Sequence, residues 1–106
     1  MIRAEFFLDQ HNRISGFHIS GHAGIAGAGE DVLCAFVSSA AYLTANTITD
    51  VIGAKAQAQD GDGDMFVYVD EKNIEDCQSV LTGLKLHLEQ TVEQYPKNLK
   101  VIITEV

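Results

Sequence analysis

Between Val32 and Thr49 the chain reads VLCAFVSSAAYLTANTIT, eighteen residues without a single charge. In a protein of 106 residues nothing constrains the fold more. A run of that length and hydropathy is long enough to cross a bilayer. Six of its residues are Ser, Thr or Asn, however, and its flanks are acidic, with no Lys or Arg to anchor a span. The reading that follows is a helix buried on most of its faces in a small domain, with no membrane partner. Such a helix in so short a chain also points to a homodimer.

One core is all that a chain of this length can build, so residues 1–106 are read as a single domain. Hydrophobic residues make up 46% and proline occurs once, a globular and not a disordered composition. The net charge of −8, with seven scattered Lys and Arg, argues against a phosphate-binding surface and hence against direct nucleic-acid binding. It favours a basic protein or peptide as partner, and solubility alone accounts for it equally well. Cys34 and Cys77 make no disulfide framework. The start MIRAEFFLDQ, interrupted by Arg3, Glu5 and Asp9, has no signal-peptide pattern. A reducing cytoplasm with free thiols is therefore expected.

Alternation of Ile2, Ala4, Phe6 and Leu8 with Arg3, Glu5 and Asp9 reads as a strand in which Phe7 is out of place. QHNR supplies a turn, and ISGFHIS returns as its hairpin partner. Helix one is expected from Asp31 to just before Gly53, a suitable C′ residue. KAQAQ, the turn DGDGD and MFVYV make a second hairpin. Helix two is expected from an Asn73 cap, with Ile74, Cys77, Leu81, Leu84, Leu88 and Val92 forming its apolar stripe. Tyr95-Pro96 closes it, and LKVIITEV is the last strand. The order β-β-α-β-β-α-β implies an α+β domain: a mainly antiparallel sheet of about five strands, with two helices on one face.

Chemistry concentrates in GHAGIAGAGEDVLCAFVS. A cysteine is nucleophilic as its thiolate, and a helix N-terminus favours that anion through unpaired N–H groups and the helix dipole. With helix one starting at Asp31, Cys34 falls in its first turn, where the same amides could hold an oxyanion. Gly21, Gly24, Gly27 and Gly29 read as a flexible loop able to carry His22 back over the helix start and to close on a substrate. Asp31 and Ser38, three before and four after the cysteine, share its helical face. Asp31 suits capping or orienting His22, and Ser38 suits a hydrogen bond to the thiol or the loop. The residues alone leave a plainer reading open, in which Cys34 is a small buried hydrophobe and His22 a solvated turn residue.

Other candidates are weaker. DGDGDMFVYVDE places Asp60, Asp62, Asp64 and Glu71 at calcium-loop positions, but Met65 stands where glycine is needed, so a hairpin is expected. His11, His18 and His87 are scattered and show no zinc spacing with the cysteines, so neither metal nor cofactor is expected. Cys77 belongs to an apolar stripe, where packing is the default. Phe6, Phe7, Phe66 and Tyr68 are hairpin residues first and a peptide-binding wall second.

Taken together, Gly21, His22, Ala23, Gly24, then Gly29, Asp31, Val32, Leu33, Cys34, Ala35, Val37 and Ser38 resemble the motif of the ribosomal-processing cysteine proteases, the Prp family. Length and the two-hairpin, two-helix plan fit from end to end. The resemblance implies a cysteine endopeptidase with His22 and Cys34 as catalytic dyad, an α+β fold and a homodimer. It further implies, as substrate, the short N-terminal extension of the large-subunit ribosomal protein L-twenty-seven. Phe36 stands where a small residue is expected, which bears on local packing and the dimer contact and not on the dyad. Two alternatives from other classes are a non-catalytic partner of a basic ribosomal protein and a thiol redox sensor.

Overall fold

The computed structural model describes residues 1–22 and 28–106, the side chains of 28–31 excepted. Strand β1 (Ile2–Leu8) turns Ile2, Ala4 and Phe6 inward, and β2 (Ile14–Ser20) returns antiparallel to it. Ala4 pairs with Ile19 and Phe6 with Phe17, so one parity of each strand feeds one core. The turn between them is built around Asp9, whose carboxylate accepts the backbone N–H groups of His11 at 2.8 Å and Arg13 at 2.9 Å. These bonds, the Arg13 amide foremost, hold the Asp9 carboxyl below the usual carboxylate range. Phe7, out of phase in the sequence, lies on the opposite face of the sheet and stacks on Tyr68 at 5.0 Å between ring centroids.

Helix α1 (Ala28–Asn46) starts three residues before Asp31 and runs on into one wider π turn, Thr47–Ile52. Its end is the expected one: Gly53 adopts φ 75°, and the N–H groups of Gly53 and Ala54 both reach the Ile48 carbonyl. Its burial is not. Only 33% of its most apolar stretch is buried, although by length and composition that stretch could cross a membrane. Leu33, Val37, Ala41, Ala45 and Ile48 form one inward stripe, whereas Val32, Phe36, Leu43 and Val51 are exposed. A helix lying on a sheet with one helix beside it is covered on two sides, and the remainder faces out.

Strand β3 (Ala56–Gly61) and β4 (Asp64–Val69) form the second hairpin, which confirms a turn and not a calcium loop at DGDGD. The second helix departs from expectation at its start. Two 3₁₀ turns, Glu71–Asn73 and Glu75–Cys77, precede α2 (Gln78–Gln94). Asn73 does not cap it: its side-chain oxygen accepts the Lys55 N–H at 3.0 Å. Gln78 anchors the helix instead, exchanging two 2.8 Å hydrogen bonds with the backbone of Ile14 on β2.

Strand β5 (Leu99–Glu105) completes a five-stranded sheet in the order β3-β4-β2-β1-β5. Three neighbouring pairs are antiparallel; β1 and β5 are parallel, with α2 carrying the chain from β4 across the sheet to β5. Leu81, Leu84 and Leu88 of α2 join the α1 stripe and the inward strand residues in a single core. This is the expected α+β domain. Because both helices take one face, the ends of β2 and of the β3–β4 turn are left free to meet the side of α1.

Candidate active site

Three side chains at steps of four along α1, Cys34, Ser38 and Tyr42, line a cleft of about 180 Å³. Its opposite wall comes from the sheet: Ile19, Gly21 and His22 at the end of β2, and the β3–β4 turn from Gly61 to Met65. Cys34 is partly buried against the core, and His22 is exposed just past the last residue of β2. The structure therefore brings the thiol and the imidazole to one cavity from elements twelve residues apart, as the Cys–His reading requires.

Other expectations about the site change. Because α1 begins at Ala28, Cys34 is its seventh residue and not part of its first turn. The field of a helix terminus fades within the first turn, and from the fifth residue on each N–H is bonded inside the helix. The first-turn amides are thus neither next to the Cys34 sulfur nor a ready oxyanion hole for it. Gly29 lies in the helix and not in a loop. Gly24 and Gly27 lie outside the described residues, and so does the side chain of Asp31. Gly21 does what a glycine is needed for: its φ is 92°, and a Cβ there would fall 2.3 Å from the Met1 carbonyl oxygen. Ser38 is exposed and faces the cleft beside Cys34.

Residues that the sequence reading did not assign to this site also gather here. The Tyr42 hydroxyl donates to the Asp60 carboxylate, which raises the Tyr42 pKa above its ordinary value, the hydrogen bond being the main cause. Asp64, two residues on from the turn's Asp62, pairs with the His18 imidazole at 2.7 Å. The signal for Tyr42 was available, since it follows Ser38 by four and Cys34 by eight. Nothing local marks Asp60 or Asp64 as its neighbours.

The remaining candidates sort away from the cleft. Cys77 is fully buried, and desolvation, with a lesser push from the Asp76 charge, raises its pKa. Phe6 belongs to the core; Phe7, Phe66 and Tyr68 form an aromatic group on the open face of the sheet. His87 stacks on Phe36 at 5.0 Å, so the large side chain two residues after the cysteine is accommodated between the helices. That pair lines a wider, mostly apolar groove of about 880 Å³ between α1 and α2, and neither cysteine is among its lining residues. Among the described residues no cluster of His, Cys, Asp and Glu could hold a metal ion.

Comparison with known proteins shows the family. The family model described as cysteine protease Prp matches residues 1–100. The ribosomal processing cysteine protease Prp of Bacillus subtilis (strain 168) is 27% identical over 107 residues, spanning 95% of this chain and 96% of that protein. The fold is similar to that of the ribosomal processing protease Prp from S. aureus. Its complex with a covalently linked product peptide superposes with a TM-score of 0.87 at 20% identity, and its complex with a substrate peptide with 0.86 at 19%. Each alignment covers 98% of this chain and 100% of the other. With the model matched along nearly the whole sequence, and a thiol and an imidazole meeting at one cleft, this chain belongs to the Prp family of cysteine proteases.

Proposed function

We propose that Cys34 is the nucleophile and His22 the general base of this protease. The observation that carries the reading is their meeting in one cleft, reached from α1 on one side and the end of β2 on the other. His22 takes the Cys34 proton and the sulfur adds to the scissile carbonyl carbon, forming a C–S bond. On collapse the C–N bond breaks and His22 returns the proton to the leaving amine. Water then adds to the thioester, releasing the new carboxyl terminus and restoring the thiol. Ser38, one turn along α1 on the same cleft, offers its hydroxyl to the sulfur or to the substrate oxygen. Asp31 retains the proposed role of orienting His22 or supporting the helix start, and Gly21, Gly24 and Gly27 that of letting the chain pass close to a bound peptide.

The proposed substrate is the N-terminal extension of the basic ribosomal protein L-twenty-seven, processed in the cytoplasm. Two observations support it: the relatives are ribosomal processing proteases, and a chain of net charge −8 attracts a cationic partner. The proposed functional unit is a homodimer. Val32, Phe36 and Leu43, exposed on α1, line the apolar groove with Leu84 and His87, and a second copy would remove them from water. Replacing Leu43 by Glu is expected to give monomers in sedimentation or light scattering; an unchanged mass would place the interface elsewhere.

The deciding experiment is mass spectrometry of an N-terminal peptide of L-twenty-seven after incubation with wild-type, Cys34→Ser and His22→Ala proteins. One cut is expected, slowed at least about 10³-fold by Cys34→Ser and about 10²- to 10⁴-fold by His22→Ala. Equal cleavage by Cys34→Ser would remove the dyad. An intact peptide with folded wild type that still binds it would leave a non-catalytic partner of that protein.

A further inference from the structure

The tip of the β3–β4 hairpin touches both halves of the cleft. On the sheet side, the Gly21 N–H donates to the Gly63 carbonyl at 2.9 Å, which pins the residue before His22 to the turn. The imidazole itself lies against Gly63. A Cβ added there would stand 2.9 Å from His22 Nε2 and 3.0 Å from Cε1, closer than side-chain carbons pack. On the helix side, Tyr42 reaches from the Cys34–Ser38–Tyr42 stripe of α1 to the Asp60 carboxylate at the end of β3. Strand β3 is the edge of the sheet, and Gln57 to Gly61 are exposed, so its position over α1 is not set by burial.

We infer that this hairpin is the positioning element of the active site: Gly63 is the surface on which His22 is seated, and the Tyr42–Asp60 bond fixes that surface relative to the helix bearing Cys34. The inference rests on the His22–Cys34 reading and adds to it the residues that set the spacing of the pair. Gly63 and Tyr42 are positioning residues, since neither is asked to touch the reacting atoms. The physical reason for such a device is plain. A base carried on a chain segment leaving a strand end has many accessible orientations, and a displacement of about 1 Å can cost on the order of 10²-fold in rate. A rigid neighbour tied to both partners removes that freedom without adding a group that could compete for the proton.

A matched glycine pair supplies the test. Gly53 and Gly63 have almost the same backbone angle, φ 75° and φ 69°, yet a Cβ at Gly53 would meet nothing within 4 Å. Alanine at either position costs similar backbone strain, and only at Gly63 does it displace the imidazole. The measurements are kcat and KM on the L-twenty-seven peptide and the imidazole NMR resonances of His22, assigned by their loss in His22→Ala. For Gly63→Ala, kcat is expected to fall about tenfold to a hundredfold with KM nearly unchanged, and the His22 resonances to move. Gly53→Ala should keep kcat within about twofold and leave those resonances in place. Tyr42→Phe should lower kcat by about threefold to tenfold and move the His22 resonances in the same sense as Gly63→Ala.

Gly63→Ala matching Gly53→Ala in both kcat and resonances would overturn the inference. An effect at Gly63 with none at Tyr42 would overturn the tie to α1. If His22→Ala cleaves like wild type, or no protein cleaves the peptide, the dyad or the substrate fails separately. The His22 resonances then decide alone: unmoved in Gly63→Ala, they overturn the seating of the ring.

Discussion

Cys34 and Cys77 make an instructive pair. Each packs its side chain against the apolar core, and neither has a cysteine partner. Cys77 is wholly enclosed in the core and its thiol is pushed away from ionisation by burial. Cys34 is only partly covered, and the end of β2 brings an imidazole to its cleft. What distinguishes the proposed nucleophile from the packing thiol here is the company each keeps across the fold. The helical stripe around each residue says little about it.

Swapping the roles of the two thiols in an assay is the largest test of that contrast. Cys34→Ala should abolish cleavage with little change in melting temperature. Cys77→Ala should keep kcat while losing about 1–2 kcal/mol of stability, the cost of a small core void. Iodoacetamide should label Cys34 in the native protein and Cys77 only on unfolding, as peptide mapping would show. Rapid native labelling of Cys77, or loss of kcat in a folded Cys77→Ala protein, would break the comparison.

The same contrast extends to the helices. Leu81, one turn beyond Cys77, is fully buried, while Leu43, on the α1 face turned away from the sheet, is 69% exposed. Chemical denaturation should find Leu81→Ala destabilised by about 2–5 kcal/mol and Leu43→Ala changed by less than about 0.5 kcal/mol at concentrations where the protein is monomeric. A large loss at Leu43 under those conditions would mean that the outer face of α1 is packed within one chain.

How far these differences could be read from sequence follows from how local their causes are. Strand parity in β1 and β2, the Gly53 stop and the apolar stripe of α2 are short-range patterns, and they are found where expected. The start of α1 is not, because Glu30 and Asp31 are equally at home in a helical first turn, where acidic residues meet the positive end of the dipole. The start of α2 escapes for a different reason. Asn73 is a good cap by type, but its oxygen is claimed by the Lys55 amide, eighteen residues away in sequence. Within the proposed site, type and spacing mark His22 and Cys34 as candidates while leaving a buried-thiol reading open, and the family resemblance is what joins them as a dyad. Tyr42–Asp60 and Gly63–His22 arise only when the edge hairpin folds back over α1.

The smallest effect separates the core from the cleft by pH. Burial raises the Cys77 pKa above its ordinary 9.0, and the Asp60 hydrogen bond raises that of Tyr42 above its ordinary 10.0. Both groups hold their protons more tightly folded than unfolded. The stability each contributes is therefore full below the unfolded value and lost as pH rises through the folded one. Cys77 should act first, from about pH 9, and Tyr42 from about pH 10. Chemical denaturation between pH 8 and pH 11 should thus show an alkaline decline that begins later in Cys77→Ala than in wild type. Tyr42→Phe should flatten only the upper part of the decline, and weakly, because that hydroxyl is exposed to solvent. A Cys77→Ala curve parallel to wild type throughout would mean that the core thiol ionises as readily folded as unfolded, and the distinction between the two cysteines would then rest on access alone.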